Sequence, residues 1–172
     1  MTSSSINKRV LVRPAHIGDL DLLVSFSLAM AQETEGRQLD KARLLRGTQV
    51  LFDEPTRGFY LVAEATGQPE PTIVGQLMVT FEWSDWRNAT FWWIQSVYVR
   101  PDWRRQGVYR AMHQHVLREA RERKDVCGLR LYVEKDNRGA QTAYRRVGLS
   151  PSAYQVFEED FVLTKRTRTS KL

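Results

Sequence analysis

The chain has 172 residues, 42% of them hydrophobic and 27% charged, which is the balance of one ordinary globular domain. No apolar run approaches the roughly 20 residues of a membrane span, and residues 1–8 lack the apolar core of a secretory signal. A single cysteine, Cys127, excludes an internal disulfide framework and fits a reducing compartment. We therefore expect no membrane partner and a cytoplasmic location.

The net charge of +6 can serve either a nucleic acid or an anionic cofactor. The chain has no helix-turn-helix, zinc or RNA-binding signature, so we expect no specific nucleic-acid partner. We expect residues 1–164 to form the domain and residues 165–172 to form a basic, flexible tail. The tail ends in Ser170-Lys171-Leu172, which coincides with the peroxisomal address, so a peroxisomal location is the alternative if the protein is eukaryotic.

Hydrophobic periodicity and turn residues predict ten elements in the order β-α-α-β-β-β-α-β-α-β. They are a strand at 10–13, helices at 18–31 and 39–51, strands at 58–65, 73–83 and 90–99, a helix at 107–123, a strand at 129–133, a helix at 138–147 and a strand at 154–163. A strand–helix–strand crossover makes its two strands parallel. We therefore expect a single-domain α/β (α+β) fold with a mixed sheet and helices on both faces.

The sixth element of this series, a strand, runs through a basic turn directly into the long helix. The turn reads Arg104-Arg105-Gln106-Gly107, where a helix start usually has Ser, Thr, Asp or Asn. The first turn of a helix has unpaired N–H groups and the positive end of the helix dipole, and both favour an anion. Gly107 lets a ligand approach the backbone closely, and Arg110 adds a third positive charge. The turn is therefore predicted to bind a pyrophosphate.

Two motifs in this half of the chain resemble those of the GNAT superfamily of acyl-CoA-dependent N-acyltransferases. The first is the phosphate-loop pattern Arg/Gln-x-x-Gly-x-Gly/Ala, which begins at Arg104 and has Tyr109 in place of its last small residue. The second is the pattern Asn-x-x-Ala-x-x-x-Tyr…Gly, matched by Asn137, Ala140, Tyr144 and Gly148. The resemblance covers nearly the whole chain.

The resemblance implies a GNAT-like fold whose mixed sheet has six to seven strands and splays between the fourth and fifth. The cosubstrate would be acetyl-CoA, with its pantetheine arm in the splay and its pyrophosphate on the backbone amides of residues 105–110. A bulge near Ser96 and Val97 would help to open the sheet. The cofactor-binding residues that the resemblance implies are Val97, Tyr98, Val99, Arg104, Arg105, Gln106, Gly107, Val108, Tyr109, Arg110, Asn137, Ala140 and Tyr144.

The implied reaction is direct attack of a primary amine on the thioester. It needs a base for the amine and an acid for the departing thiolate. Tyr144 matches the family position of that acid. Some relatives carry a carboxylate on the strand just before the bulge, but that position is Gln95 here, which, like Ser96, could only position a water. Glu82 on the neighbouring strand is the best carboxylate candidate for the base.

Glu33, Glu35 and Trp83 are expected to bind the acceptor, because carboxylates and indole faces suit a cationic amine. The acceptor stays open between a polyamine-like or amino-sugar molecule, a free amino acid, and a protein N-terminus or lysine. We expect no metal site, since His113 and His115 lie two residues apart on a helix and the chain has no Cys/His cluster. A homodimer is the family expectation.

The sequence thus predicts an N-acetyltransferase that moves an acetyl group from acetyl-CoA to a primary amine. Because Gln95 stands where a carboxylate base could be, the alternative is an acetyl-CoA-binding sensor or regulatory module without turnover. A nucleic-acid-binding protein that uses the basic surface is a further rival.

Overall fold

The computed structural model describes residues 10–67 and 70–163, and within them five strands and four helices. The strands are β1 (Val10–Pro14), β2 (Gly58–Ala65), β3 (Thr72–Ser84), β4 (Ala89–Val99) and β5 (Val126–Leu131). The helices are α1 (Leu20–Glu35), α2 (Lys41–Asp53), α3 (Val108–Glu122) and α4 (Arg138–Arg146). Short 3₁₀ turns at Ile17–Asp19 and Pro101–Trp103 precede α1 and follow β4. The predicted tail at 165–172 lies outside the described residues.

The five strands form one sheet in the order β1-β2-β3-β4-β5. The first four strands pair antiparallel, and β5 pairs parallel with β4. This parallel pair follows from the α3 crossover, which returns the chain to the end of the sheet where β4 begins. The mixed sheet predicted from the sequence is confirmed.

The two faces of the sheet bury different helices. Along β2, Leu61 and Ala63 belong to the core cluster that α3 covers with residues such as Met112, which has no exposed surface. The alternate residues Tyr60 and Val62 belong to a second cluster with Leu23 of α1. Strand alternation therefore sends successive side chains to opposite cores, and helices lie on both faces as predicted. No helix in the described part of the chain is long and apolar enough to cross a membrane.

The sheet opens between β4 and β5. Their pairing ends at Ile94 and Leu131, while β4 continues beside β3 alone as far as Val99. A bulge accompanies the opening, because Met78 faces Ser96 and Val79 faces Ile94, which leaves Gln95 as the extra residue. The predicted splay between the fourth and fifth strands is therefore present, with its bulge centred on Gln95.

The last predicted strand, at 154–163, is wrong, and the described sheet has five strands rather than six to seven. The segment has no regular structure, and Tyr154, Phe157 and Phe161 are between 77% and 91% exposed. The run Glu158-Glu159-Asp160 breaks the alternation of apolar and polar residues that a half-buried strand needs. Composition rich in aromatic and β-branched residues was therefore a misleading signal here.

Two element boundaries also differ from the prediction in ways that affect the site. Helix α1 runs on to Glu35 and ends at Gly36, which has a left-handed φ of 58°, so Glu33 and Glu35 lie in its last turn and not in a loop. Strand β5 is Val126–Leu131 rather than 129–133, because its parallel register with β4 starts at Thr90. Tyr132 and Val133 consequently follow the strand and sit beside the opening.

Candidate active site

The turn between β4 and α3 has a backbone shape that suits an anion. Arg105 has a left-handed φ of 60° and Gly107 a φ of 84°, so two left-handed residues alternate with others just before α3. Such alternation points successive N–H groups into one concavity. Gly107 is the N-cap of α3 and makes no side-chain cap hydrogen bond. The turn therefore presents bare peptide donors at the positive end of the helix dipole.

Six consecutive amides of this turn are free. Among the described residues, no hydrogen bond is made by the backbone N–H groups of residues 105–110, and the first helical bond of α3 is that of Ala111 to the carbonyl of Gly107 at 2.9 Å. Arg105 and Arg110 are exposed and form no ion pair with any described residue. Free amides and two uncommitted guanidinium groups are what a pyrophosphate requires.

Arg104 is committed elsewhere. Its Nη2 donates to Glu33 at 2.5 Å, its Nε donates to the carbonyl of Val99 at 2.9 Å, and its guanidinium lies 5.6 Å from the ring centre of Tyr98. The side chain therefore ties the turn to α1 and to the end of β4. This ion pair holds the turn in place, whereas Arg105 and Arg110 remain available to a ligand.

The predicted pantetheine strand lies along the opening. Beyond Ile94, β4 has β3 on one side only, so the backbone groups of Val97 and Val99 face the gap left by β5, whereas those of Tyr98 face Gln76 of β3. The side chain of Tyr98 is buried against Phe26 of α1, with ring centres 5.0 Å apart. Val108 is also buried, at 2% exposure. Val108 can therefore contribute only backbone atoms to this site, and neither the backbone nor the side chain of Tyr98 faces it.

Tyr144 of α4 packs edge-on against Tyr109 of α3, with ring centres 5.4 Å apart. Burial raises the pKa of Tyr144 above its ordinary value, so its hydroxyl keeps its proton at neutral pH. This is the protonation state that a general acid needs before it acts. The contact also explains how a tyrosine fits at position 109, because its ring points toward α4 and not toward the free amides.

The start of α4 is fixed by its own cap. The Asn137 side chain accepts a hydrogen bond from the Ala140 N–H at 3.0 Å, and Gly148 follows the helix with a left-handed φ of 93°. These contacts orient the helix that carries Tyr144. Asn137 and Ala140 of the second motif therefore fix the start of the helix that carries Tyr144.

Glu82 has both of its carboxylate oxygens engaged. Oε1 accepts from Arg130 Nη1 at 2.6 Å, and Oε2 accepts from the indole N–H of Trp93. Glu82 faces Phe91, four residues before Gln95 along β4, which is a distance of about 13 Å along the strand. The geometry favours a role for Glu82 in holding neighbouring side chains, and its role as a base stays a prediction.

Gln95 and Ser96 lie at the bulge, where the sheet begins to open. Gln95 is exposed, and its amide donates to the Thr80 hydroxyl at 2.8 Å. Ser96 is half-buried. Both are neutral groups that can orient a water or an amine at the opening without taking up a full charge.

The predicted acceptor residues are not brought together. Glu33 accepts from the Tyr98 hydroxyl at 3.1 Å as well as from Arg104, and Glu35 pairs with Arg37 at 3.3 Å. Trp83 is 65% exposed near the far end of β3, next to the turn into β4. The two carboxylates therefore lie in the last turn of α1, which Arg104 ties to the turn of residues 104–107 before α3, here called the phosphate turn, whereas the indole lies at the opposite end of the sheet.

Sequence reasoning missed two groups of residues near the site. One is the contact between Tyr109 and His113, whose ring centres are 5.8 Å apart, with the Tyr109 hydroxyl and both His113 ring nitrogens buried and unpartnered within the described chain. Burial lowers the pKa of His113, so the ring is neutral at pH 7. The i, i+4 spacing on α3 could have revealed this contact. The other group is Arg130 of β5 and Tyr132 just after it. Their position beside β4 depends on the register of β5, which the sequence pattern does not determine.

The sequence and the structure were compared with known proteins. Residues 26–149 match the model of the acetyltransferase (GNAT) family. A solved structure described as a possible acetyltransferase from Clostridium difficile 630 is 34% identical, with a TM-score of 0.80, and the match covers 90% of this chain and 99% of that chain. A comparison with curated proteins finds no match.

Two further solved structures have the same fold at lower identity. An aminoglycoside N-acetyltransferase in complex with CoA is 13% identical, with a TM-score of 0.69 and coverage of 89% of this chain and 95% of that one. A ribosomal-protein-alanine N-acetyltransferase from Brucella melitensis biovar Abortus 2308 is 16% identical, with a TM-score of 0.68 and coverage of 88% and 99%. Their names refer to unlike acceptors, so the shared fold does not choose between acceptors.

Proposed function

The chain belongs to the GNAT acetyltransferase family, and from that premise we propose that it transfers an acetyl group from acetyl-CoA to a primary amine. The observation that carries the proposal is the run of amides at residues 105–110, which have no hydrogen-bond partner in the described part of the chain, together with Arg105 and Arg110, which have no ion-pair partner there. A diphosphate satisfies these donors, and the opening between β4 and β5 lies directly beside them. The residues present therefore fit coenzyme A.

When bound, acetyl-CoA supplies an acetyl group activated as a thioester. In the transfer, the amine nitrogen forms a bond to the acetyl carbon and the carbon–sulfur bond breaks. The amine loses one proton and the departing sulfur gains one. The chain's part is to hold the diphosphate at residues 105–110, to offer backbone groups of Val97 and Val99, and to deliver a proton from the Tyr144 hydroxyl.

The proton of the amine needs a route that does not pass through a carboxylate at the bulge. Gln95 and Ser96 are the polar side chains at that place, and both are neutral. They can align a water that passes the proton to solvent, which suits an amine that reaches the site partly deprotonated. We propose this water-assisted route in preference to direct deprotonation by Glu82, whose two oxygens are engaged.

The second candidate function is an acetyl-CoA sensor without turnover. The observation that favours it is that neither candidate position offers a free carboxylate, since Gln95 cannot take a proton and Glu82 is paired with Arg130. A sensor would use the free amides to bind the cofactor and would gain nothing from Tyr144. Both functions therefore require acetyl-CoA binding, but only the acetyltransferase releases the thiol when an amine is added.

One pair of measurements separates these functions. Isothermal titration measures acetyl-CoA binding, and a thiol-release assay measures turnover with a panel of primary amines. The enzyme binds acetyl-CoA and releases thiol with at least one class of amine. Binding without release from any amine would instead support the sensor, and binding to DNA but not to coenzyme A would support a nucleic-acid-binding protein.

A further inference from the structure

Two aromatic rings lie at the edge of the opening between β4 and β5. Trp93 immediately precedes the last paired residue of β4, and Tyr132 immediately follows the last paired residue of β5. Their ring centres are 4.3 Å apart with an angle of 30° between the planes, which is close to a stacked arrangement. We call this pair the aromatic wall. It spans both strands at the point where they separate, next to the bulge at Gln95.

The aromatic wall is open to solvent on its outer side. Tyr132 is 51% exposed, whereas Trp92, the neighbour of Trp93 on the other face of the sheet, is only 5% exposed. Helix α3 covers the face that contains Trp92. An aromatic surface left in water beside an opening in the sheet is available to a ligand, and its burial by a ligand is favourable.

Hydrogen bonds also fix the orientation of the Trp93 indole in the aromatic wall. The Trp93 indole N–H donates to Glu82, which accepts a second hydrogen bond from Arg130. The Arg130 guanidinium in turn lies 3.6 Å from the ring centre of Phe91. Because these contacts fix the indole before a ligand arrives, little conformational freedom is lost when a ring packs on it.

The three carboxylates predicted to act at the site are not free to bind a polycation. The carboxylates of Glu33, Glu35 and Glu82 are each paired with an arginine. Gln95 and Thr80, which complete the surface beside the aromatic wall, are neutral and hydrogen-bonded to each other. A polyamine or an aminoglycoside would bring several positive charges, and these three carboxylates, already paired with arginines, are not free to neutralise them.

We infer that the acceptor is a primary amine carried on a flat, uncharged aromatic ring, which packs against the aromatic wall. The inference rests on the proposed function and names the substrate class of the same site. The ring stacks on the exposed side of Tyr132, and the amine points to the neutral groups at Gln95 and Ser96. A single positive charge on the free acceptor is lost as the amine deprotonates, so no carboxylate has to pair with it.

The test compares three amines in the thiol-release assay with the full-length protein. They are 2-phenylethylamine, n-butylamine, which lacks the ring, and spermidine, which has several charges. We expect kcat/KM for 2-phenylethylamine to exceed that for n-butylamine by about tenfold or more, from ring stacking and burial. Tyr132→Ala reduces this ratio to below about threefold, whereas Tyr132→Phe retains it. The control is Tyr154→Ala, which removes an exposed tyrosine from the segment after α4 and leaves the ratio unchanged.

Failure of this inference differs from failure of the proposed function. Thiol release that favours spermidine, or an aromatic preference that survives Tyr132→Ala, overturns the inference and leaves the acetyltransferase intact. Absence of release from all three amines and from a wider amine panel, in a protein that still binds acetyl-CoA, overturns the proposed function and the inference with it. The ratio of kcat/KM for 2-phenylethylamine to that for n-butylamine is measured first in the unaltered protein, and a ratio near one already overturns the inference. Poor folding of one variant therefore does not prevent a decision.

Discussion

Gly107 is the residue on which the phosphate turn depends most closely. Its φ of 84° is a conformation that glycine adopts without strain, and it caps a helix without supplying a side chain to the free amides. Any other residue here would be strained, and an acidic one would occupy the place of the diphosphate with a like charge. Gly107 thus allows the left-handed shape of the turn and adds no negative charge to it.

Gly107→Asp is expected to weaken coenzyme A binding by at least about tenfold, or about 1.4 kcal/mol, as measured by isothermal titration. The matched control is Gly67→Asp, which places the same carboxylate at another left-handed glycine, with a φ of 79° and open space around it. The control suffers the same backbone strain but should bind coenzyme A normally. Equal affinity in both variants would show that the diphosphate binds elsewhere.

In the proposed mechanism Tyr144 protonates the departing sulfur, and its raised pKa keeps its proton available. Tyr144→Phe keeps the edge-on packing against Tyr109 and removes only the hydroxyl. We expect kcat to fall by about tenfold or more, while the affinity for acetyl-CoA changes by less than about twofold. The control Tyr154→Phe alters an exposed tyrosine and should leave both quantities unchanged. Unaltered kcat in Tyr144→Phe would remove the tyrosine from the mechanism.

At the scale of elements, α3 can approach the sheet because β3 has a glycine beneath it. A Cβ added at Gly75 would lie 3.1 Å from the Tyr98 carbonyl, 3.1 Å from Val108 and 3.3 Å from Met112. Val108 and Met112 belong to the first two turns of α3, whose start carries the phosphate turn. The distance between β3 and α3 therefore affects stability and cofactor binding together.

Gly75→Ala is expected to lower the free energy of unfolding by about 1–3 kcal/mol through overpacking, and to weaken coenzyme A binding as α3 shifts. Gly47→Ala is the control, since Gly47 is an exposed residue within α2 with open space around it. It should raise the free energy of unfolding by about 0.4–1 kcal/mol and leave binding unchanged. Urea denaturation measures both effects. A Gly75→Ala protein as stable as the parent would contradict the close packing of α3.

The elements show which sequence signals were reliable. Apart from the end of α1, the periodic helices and the hairpin of β3 and β4 were predicted within about two residues, because their apolar patterns reflect burial on one face. Segment 154–163 failed because its apolar residues are solvent-exposed and not part of a core. The end of α1 was placed too early because Glu33 and Glu35 were interpreted as a loop, although Gly36 is the residue that ends the helix.

Some features of the site were likewise predictable from the sequence, and others were not. The uncapped start of α3 was predictable because the sequence has no capping side chain there, whereas phosphate binding at this turn stays a prediction. The partners of Glu82 and Glu33 were not predictable, because they come from β5 and from the turn after β4, respectively. Contacts between residues more than 45 positions apart depend on strand register, which the sequence pattern does not determine to a single residue.

At the scale of the whole molecule, the net charge of +6 includes guanidinium groups that are paired and others that are free. Arg13, Arg100, Arg104, Arg123 and Arg130 each bind a carboxylate. Arg105 and Arg110, at the phosphate turn, have no such partner among the described residues. Uncommitted positive charge is therefore present where an anionic cofactor is proposed to bind.

The start of the domain is stabilised by a buried ion pair that should make stability depend on pH. Asp19, at 6% exposure, accepts from Arg13 Nη1 at 2.8 Å and from the His16 N–H at 2.9 Å. Burial opposes ionisation of Asp19, but these hydrogen bonds outweigh it, so its pKa lies below the ordinary value. A carboxyl group with a lowered folded pKa stabilises the protein above its unfolded pKa, near about 3.9. That contribution is lost as pH falls through the folded pKa.

Asp19→Asn is expected to lower the free energy of unfolding by about 1.5–3 kcal/mol at pH 7, because it removes a charge-assisted pair. The difference from the parent protein should shrink as the pH falls below about 4, since the parent then loses the same charge. Asp21→Asn, on an exposed position of α1, serves as the control and should have little effect. Urea denaturation at several pH values measures this, and a difference that is constant from pH 7 to pH 3 would contradict the account.

The most direct test of the central claim is a crystal structure of the protein with coenzyme A. We expect density for the pyrophosphate within hydrogen-bonding distance of the backbone amides of residues 105–110, with the pantetheine arm entering the opening between β4 and β5. Density for the pyrophosphate at any other place, or a crystal that takes up no coenzyme A at saturating concentration, would contradict it.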